Sequence, residues 1–164
     1  MAKRSAGLLM YRRLAQDIEI FLVHPGGPFW AKKDFGSWTI PKGEYSIGED
    51  TLEAAKREFE EETGIKPMGE FRELVEIKQS GGKVVKAWAF DGNCDPTIIK
   101  SNTFTMEWPP HSGREQIFPE IDRADWFALD EAKKRILSGQ VPLLEELQSI
   151  LSKNKTSLKE HESQ

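Results

Sequence analysis

The sequence predicts an α/β fold: one layered domain in which a mixed β-sheet lies between helices. Three observations lead there. The chain has 164 residues, a length that suits one domain and is short for two. Hydrophobic residues make up 38%, with five Trp and nine Phe, which supports a sizeable core and excludes wholesale disorder. Along the chain the periodicity runs strands, helix, strands, helices, with no internal repeat and no interdomain linker.

Residues 6–11 form a short apolar run, and 18–24 (Ile-Glu-Ile-Phe-Leu-Val-His) a more buried one; both read as strands, joined by a polar turn. A long aromatic and basic loop follows over 25–36, and loops of that length inside compact domains are often functional. Residues 37–40 read as extended, and Pro41 would stop a helix there. The clearest helix spans 50–63. Asp50 is its N-cap with Glu53 as capping-box partner, Leu52, Ala55 and Phe59 form its apolar stripe, and Gly64 stands where a C-cap glycine belongs. Strands are predicted over 71–77 and 83–90, with a hairpin turn at Gly81-Gly82, and again over 97–108 and 124–128. Trp88, Trp108 and Trp126 are expected in the core. Two helices, 129–137 and 142–151, complete a domain over 1–151. The polar segment 152–164 is expected to be a disordered tail.

Charge excludes several classes of function. Lys and Arg total 23 against 27 Asp and Glu, a formal net of -4, so general adhesion to DNA, RNA or anionic membrane is not expected. No apolar run approaches the ~20 residues of a membrane span. The run after Ser5 ends at Tyr11-Arg12-Arg13, too soon for a secretory signal. The single cysteine, Cys94, can form neither an internal disulfide nor a multi-cysteine zinc site, which points to a reducing cytoplasm. His24, His111 and His161 are scattered, which argues against a histidine metal centre.

The chemistry concentrates in the helix over 50–63. Glu58, Glu61 and Glu62 stand at i, i+3 and i+4 and share one face. Three neighbouring carboxylates repel one another, and they sit at the C-terminal end, where the helix dipole disfavours anions. Two unfavourable choices together suggest a hard divalent cation, such as Mg²⁺, that takes oxygen ligands; the bland alternative is a solvated acidic face.

The wider spacing resembles a known motif. Gly43, five residues, Glu49, seven residues, Arg57-Glu58-Phe59, one residue, Glu61-Glu62, one residue, Gly64-Ile65 matches the Nudix box at every defined position. A chance match in one window is on the order of one in a billion at ordinary residue frequencies. The resemblance implies the Nudix α/β/α sandwich. It also implies a metal-dependent hydrolase that cleaves a diphosphate linkage by water attack on phosphorus. By the same resemblance, Glu58, Glu61 and Glu62 would be metal ligands, joined by the carbonyl of Gly43. Arg57 would orient the carboxylates through a forked hydrogen bond, and Glu49 would fix the loop–helix unit. The ion would be Mg²⁺, with Mn²⁺ as a possible substitute.

Nudix enzymes often use a further glutamate ahead of a Trp-Phe strand, and Glu120 before Trp126-Phe127 matches that context. Glu120 is the candidate extra ligand or general base, with Glu107 as competitor and a plain loop acid as the alternative. Lys42, Trp30, Lys32 and Arg114 are candidate substrate contacts, since aromatic faces stack on bases and cations meet phosphates. Each has a bland reading as well, as a surface cation, a salt-bridge partner or a ring folded onto the core. Substrate class stays open between a nucleoside triphosphate or dinucleoside polyphosphate and a nucleotide sugar or diphosphoinositol polyphosphate. A non-catalytic nucleotide binder is a third reading, disfavoured by an intact set of box acids. Oligomeric state is not legible.

Overall fold

The computed structural model describes residues 3–15 and 17–162, with side chains as far as 153. The N-terminal Met1-Ala2 and the side chain of His161 lie outside the described residues.

Two long strands, β1 (Arg4–Leu14) and β2 (Asp17–Pro25), pair antiparallel. Their centres are buried on both faces, which is why they read as continuous apolar runs. Ala6, Leu8, Met10, Phe21 and Val23 enter one core cluster, while Leu9, Ile20 and Leu22 enter the other. β3 (Lys42–Glu44) adds to β1 and leads towards α1 (Thr51–Thr63). The short β4 (Arg72–Glu73) and β5 (Ile77–Lys78) pair with β6 (Val84–Asp91). β6 runs parallel to β1, from Arg4↔Val84 to Tyr11↔Asp91. β7 (Thr103–Glu107) and β8 (Glu115–Pro119) form a separate two-stranded ribbon. β9 (Ile121–Ala128) closes the far edge of the main sheet against β2, giving the order β4-β6-β1-β2-β9. α2 (Leu129–Arg135) and α3 (Val141–Glu162) follow.

The predicted architecture is present. Among the described residues, five antiparallel pairings and the parallel β1–β6 pair make the main sheet mixed, while the ribbon is antiparallel. Phe59 of α1 packs on one face of the main sheet with Phe21, Phe90 and Trp126. Leu143, Leu144 and Leu147 of α3 cover the other with Trp38 and Ile40. Burying one such side chain contributes about 1.5–3 kcal/mol, so these two layers hold the sandwich together. The ends of α1 are also as predicted. Asp50 Oδ2 accepts from the Glu53 N–H at 3.0 Å, and Gly64 takes φ 76° and donates its N–H to the Glu60 carbonyl. The reciprocal half of the capping box is replaced by an ion pair, Glu53 to Lys56 at 3.2 Å.

Three expectations need correction. The strand over 71–77 breaks into β4 and β5 after Leu74, whose N–H still donates to the Ala87 carbonyl of β6 at 3.0 Å, because its carbonyl accepts from Lys86 Nζ and the Val75 N–H donates to Glu146 of α3 at 2.8 Å. The strand over 97–108 is interrupted as well. Residues 96–98 make a 3₁₀ turn, 100–102 dock on α1, and only Thr103–Glu107 pairs, within the ribbon. Trp108 is consequently half-buried beside Phe29, while Trp88 and Trp126 are core as expected. The segment expected to be a disordered tail from Ser152 continues the α3 backbone as helix to Glu162.

Candidate active site

The Glu-rich face of α1 is the side left over once Ala54, Ala55, Phe59 and Thr63 are buried. Glu58, Glu61 and Glu62 stand on it one turn apart. β3 itself presses against it. Lys42 donates its backbone N–H to Glu62 Oε2 at 3.1 Å. Gly43 lies so close to Glu58 that a Cβ there would collide with the carboxylate, so the box glycine is required by space. Arg57 makes the expected fork. Its Nε and Nη2 donate to the two oxygens of Glu49 at 3.2 and 3.3 Å, and its Nη1 reaches Glu58 at 2.8 Å and Glu61 at 3.3 Å. One guanidinium thus holds three carboxylates in fixed relation, and Glu49 is tied in turn to the Ser46 N–H.

A relay of backbone hydrogen bonds brings Glu120 to the same face. The Lys100 and Asn102 N–H groups donate to the carbonyls of Thr63 and Glu61, which the helix itself leaves without partners. The Asn102 carbonyl accepts from the Glu120 N–H at 2.8 Å, and the Glu120 carbonyl accepts from the Gly26 N–H at 2.8 Å. Glu107 stands five residues beyond Asn102, at the far end of β7, which is roughly 16 Å along an extended strand. Of the two competing acids, the fold places Glu120 beside the helix cluster and Glu107 away from it.

The electrostatics fit this crowding. Burial, then the charges of Glu58 and Glu120, push the Glu62 pKa up to about 8 against the pull of the Lys42 N–H and charge. Burial and Glu61 raise Glu58, and burial and Glu61 raise Glu120. Lys42 is half-buried and faces Glu62, Glu44 and Glu58; burial, reinforced by the charge of Lys83, lowers its pKa.

The remaining candidates stand apart from the carboxylates. Trp30 is half-buried with the Lys33 ammonium 4.8 Å above its ring, and Lys32 is exposed in the same loop. Arg114 is exposed in the turn joining β7 to β8, where its carbonyl accepts from the Trp108 N–H. Sequence reasoning missed the residues that brace the 25–36 loop. Arg135 grips Asp34 at 2.5 and 2.6 Å, Trp38 Nε1 donates to Asp34 at 2.8 Å, and buried His24 bonds both Lys33 and Asp122. The one local signal was a histidine closing an otherwise apolar strand.

Among the described residues no group of three His, Cys, Asp or Glu side chains is disposed to hold a metal ion as the chain stands; Glu58 and Glu61 are engaged by Arg57, and Glu62 by the Lys42 N–H. The donors nonetheless suit a hard cation. They are all oxygen, they are short of compensating charge, and the missing Cβ of Gly43 leaves room for the Glu58 carboxylate against the backbone. Among the described residues no helix is long and apolar enough to cross a membrane.

A fold with a glutamate-rich helix following a tight glycine turn, joined by one further acid from across the sheet, defines a class. The chain belongs to the Nudix family, whose domain matches residues 1–147. Nudix hydrolases are generally dependent on divalent metal ions. Among its relatives, an asymmetrical bis(5′-nucleosyl)-tetraphosphatase of Caenorhabditis elegans is 42% identical over 65 residues, which is 40% of this chain and 43% of that protein. An RNA pyrophosphohydrolase of Rhizobium meliloti (strain 1021) is 31% identical over 130 residues, covering 70% and 72%. In three dimensions the chain resembles a C. elegans Ap4A hydrolase binary complex, with TM-score 0.60 and 26% identity over 92% of this chain and 98% of that one. The chain thus spans less than half the length of the tetraphosphatase it matches in sequence.

Proposed function

We propose that the protein is a Mg²⁺-dependent pyrophosphohydrolase, with Mn²⁺ as substitute, acting on a dinucleoside polyphosphate or a nucleoside triphosphate. The observation that supports this most is the convergence of Glu120 on the Glu58–Glu61–Glu62 face of α1. The likeness to an asymmetrical tetraphosphatase favours the dinucleoside branch. The likeness to an RNA pyrophosphohydrolase supports a second reading, in which the substrate is a 5′-phosphorylated RNA end.

Glu58, Glu61, Glu62, Glu120 and the Gly43 carbonyl would hold the ion. Bound there, a divalent cation supplies neutralisation of phosphate oxygens and a water of lowered pKa. The protein's own part is arrangement and proton transfer. Arg57 keeps Glu58 and Glu61 at fixed spacing through its fork. Glu120, or one of the helix glutamates once ionised, accepts the proton of the attacking water. Lys42, beside the acids, meets phosphate charge, and Trp30, Lys32 and Arg114 contribute to the outer substrate surface. A cytoplasmic setting accords with the single, half-buried cysteine, whose thiol is pushed up to about 11 by burial.

The test is a substrate panel with Mg²⁺ or Mn²⁺: diadenosine tetraphosphate, nucleoside triphosphates, 5′-triphosphorylated RNA, a nucleotide sugar and a diphosphoinositol polyphosphate, with products separated by chromatography. ATP and AMP from the dinucleotide, lost on chelation, are expected. Nucleotide binding without cleavage of any member would replace the enzyme by a binding domain.

A further inference from the structure

His24 is the one ionisable side chain in the fully buried set among the described residues, and the chemistry above does not use it. It stands next to last in β2 at 0% exposure, with its ring edge-on to Trp38 at 5.2 Å. Its Nε2 faces the Lys33 carbonyl at 2.7 Å, and its Nδ1 faces Asp122 Oδ1 at 2.8 Å. A carbonyl oxygen only accepts, so Nε2 carries a hydrogen and donates it to Lys33. The second bond joins Nδ1 to the Asp122 carboxylate. Leaving a buried imidazole with a polar partner missing is costly, so both bonds fix their partners strongly.

The partners belong to different parts of the site. Lys33 lies in the 25–36 loop, together with Trp30 and Lys32. Asp122 is two residues after Glu120 and is the extra residue of a β-bulge. The β2–β9 register passes from His24↔Arg123 to Pro25↔Ile121 and skips it. A bulge bends its strand and re-aims the chain beyond it. Here the chain beyond the bulge is Pro119-Glu120, which leaves the sheet for the carboxylate face. The loop is therefore tied to the Glu120 strand at three points: by the Gly26 N–H on the Glu120 carbonyl, through His24 from Lys33 to Asp122, and by Arg123 Nη2, which donates to the Lys33 carbonyl at a longer 3.5 Å.

We propose that His24 is a positioning residue that couples the 25–36 substrate loop to Glu120, by holding Lys33 with one ring nitrogen and the Asp122 bulge with the other. This rests on the reading that Glu120 serves the reaction. Two substitutions cut one arm each. The amide of H24Q falls near the Nε2 position, and that of H24N near Nδ1. D122N is nearly isosteric and on a partly exposed side chain, so it keeps the fold if the His24 variants do not.

Steady-state kinetics on diadenosine tetraphosphate with Mg²⁺ should split. H24Q and D122N, which disturb the Glu120 side, should lower kcat about tenfold and change KM less than about threefold. H24N, which frees the loop, should raise KM about tenfold with kcat changed less than about threefold. Independently of activity, amide hydrogen exchange of D122N in the metal-free protein should quicken on both sides of the link, over residues 26–36 and over 120–123. Faster exchange over 120–123 alone would overturn the coupling, as would kcat and KM moving together in every variant. If the wild type cleaves no member of the panel, the hydrolase reading falls while the exchange measurement still decides the coupling.

Discussion

Asp34 and Glu62 are both carboxylates held by well-formed structure, on opposite sides of the main sheet. Asp34 accepts two hydrogen bonds from Arg135 of α2 and one from Trp38, and these partners hold its pKa below the ordinary range. It ties the 25–36 loop down to α2. Glu62 receives one backbone N–H, from Lys42, and is otherwise crowded by burial and by Glu58 and Glu120, so its pKa rises to about 8. The first carboxylate has been given its counter-charge by the fold and stabilises it. The second has only the Lys42 charge nearby, which does not offset burial and two like charges, a cost in stability that makes sense where a bound cation completes the site.

Breaking the second kind should cost activity, and the largest effects lie there. Glu61→Gln and Glu62→Gln are each expected to lower turnover by a factor of ~100 or more while the fold survives, because metal-held charge stabilisation is worth several kcal/mol. Wild-type-like turnover in both would remove them from the site. Glu120→Gln should lose about 10–100-fold, whereas Glu107→Gln, at the far end of the ribbon, should stay within about twofold; the reverse order would transfer the role to Glu107. Arg57→Lys keeps the charge but loses the fork, so kcat should fall about tenfold with little change in KM. A change in KM alone would place Arg57 on the substrate.

Stability sharpens the same contrast with opposite signs. With divalent ions chelated, Glu62 holds its proton more tightly folded than unfolded, its pKa rising from 4.5 to about 8. That contribution is complete below pH 4.5 and is lost as pH climbs through 8. Glu62→Gln removes the dependence, so at pH 9 the variant should melt ~3 °C or more above wild type, the equivalent of about 1 kcal/mol at this chain length. Asp34→Asn should instead melt about 3 °C lower near neutral pH, a modest loss because the pair is partly exposed to solvent. Equal shifts of one sign in the two variants would erase the distinction drawn between them.

What was legible in the sequence was local. α1, its two caps and the acids on its face follow from spacing within one helix, and the apolar runs of β1 and β2 announce strands buried on both sides. Glu120 became a candidate through resemblance alone, from its position ahead of Trp126-Phe127, and no spacing within the chain links it to α1. The rest depended on distant partners. His24 and Asp122 are 98 residues apart, and nothing in either segment's periodicity marks the other. The run over 97–108 alternates well enough for one strand, yet the carbonyls at the end of α1 take residues 100–102 and leave only five for the ribbon. The predicted strand over 71–77 is likewise interrupted from a distance, where Glu146 of α3, 71 residues on, takes the Val75 N–H.

The order of strands also has a consequence for how the chain is made. β1 precedes every other strand and ends in the middle of the sheet, with β2 on one side and β6 on the other. The parallel partner of Arg4 is Val84, a separation of 84 − 4 = 80 residues. At synthesis rates of roughly 5–20 residues per second, β1 waits about 4–16 s for that neighbour. Its hairpin with β2 presents Leu8 and Phe21 on a surface that α1 covers before β6 is made, and Leu9 and Leu22 on a surface that waits for α3. The spine of the finished sheet is thus the first strand made, and the apolar face it turns to α3 is among the last to be covered.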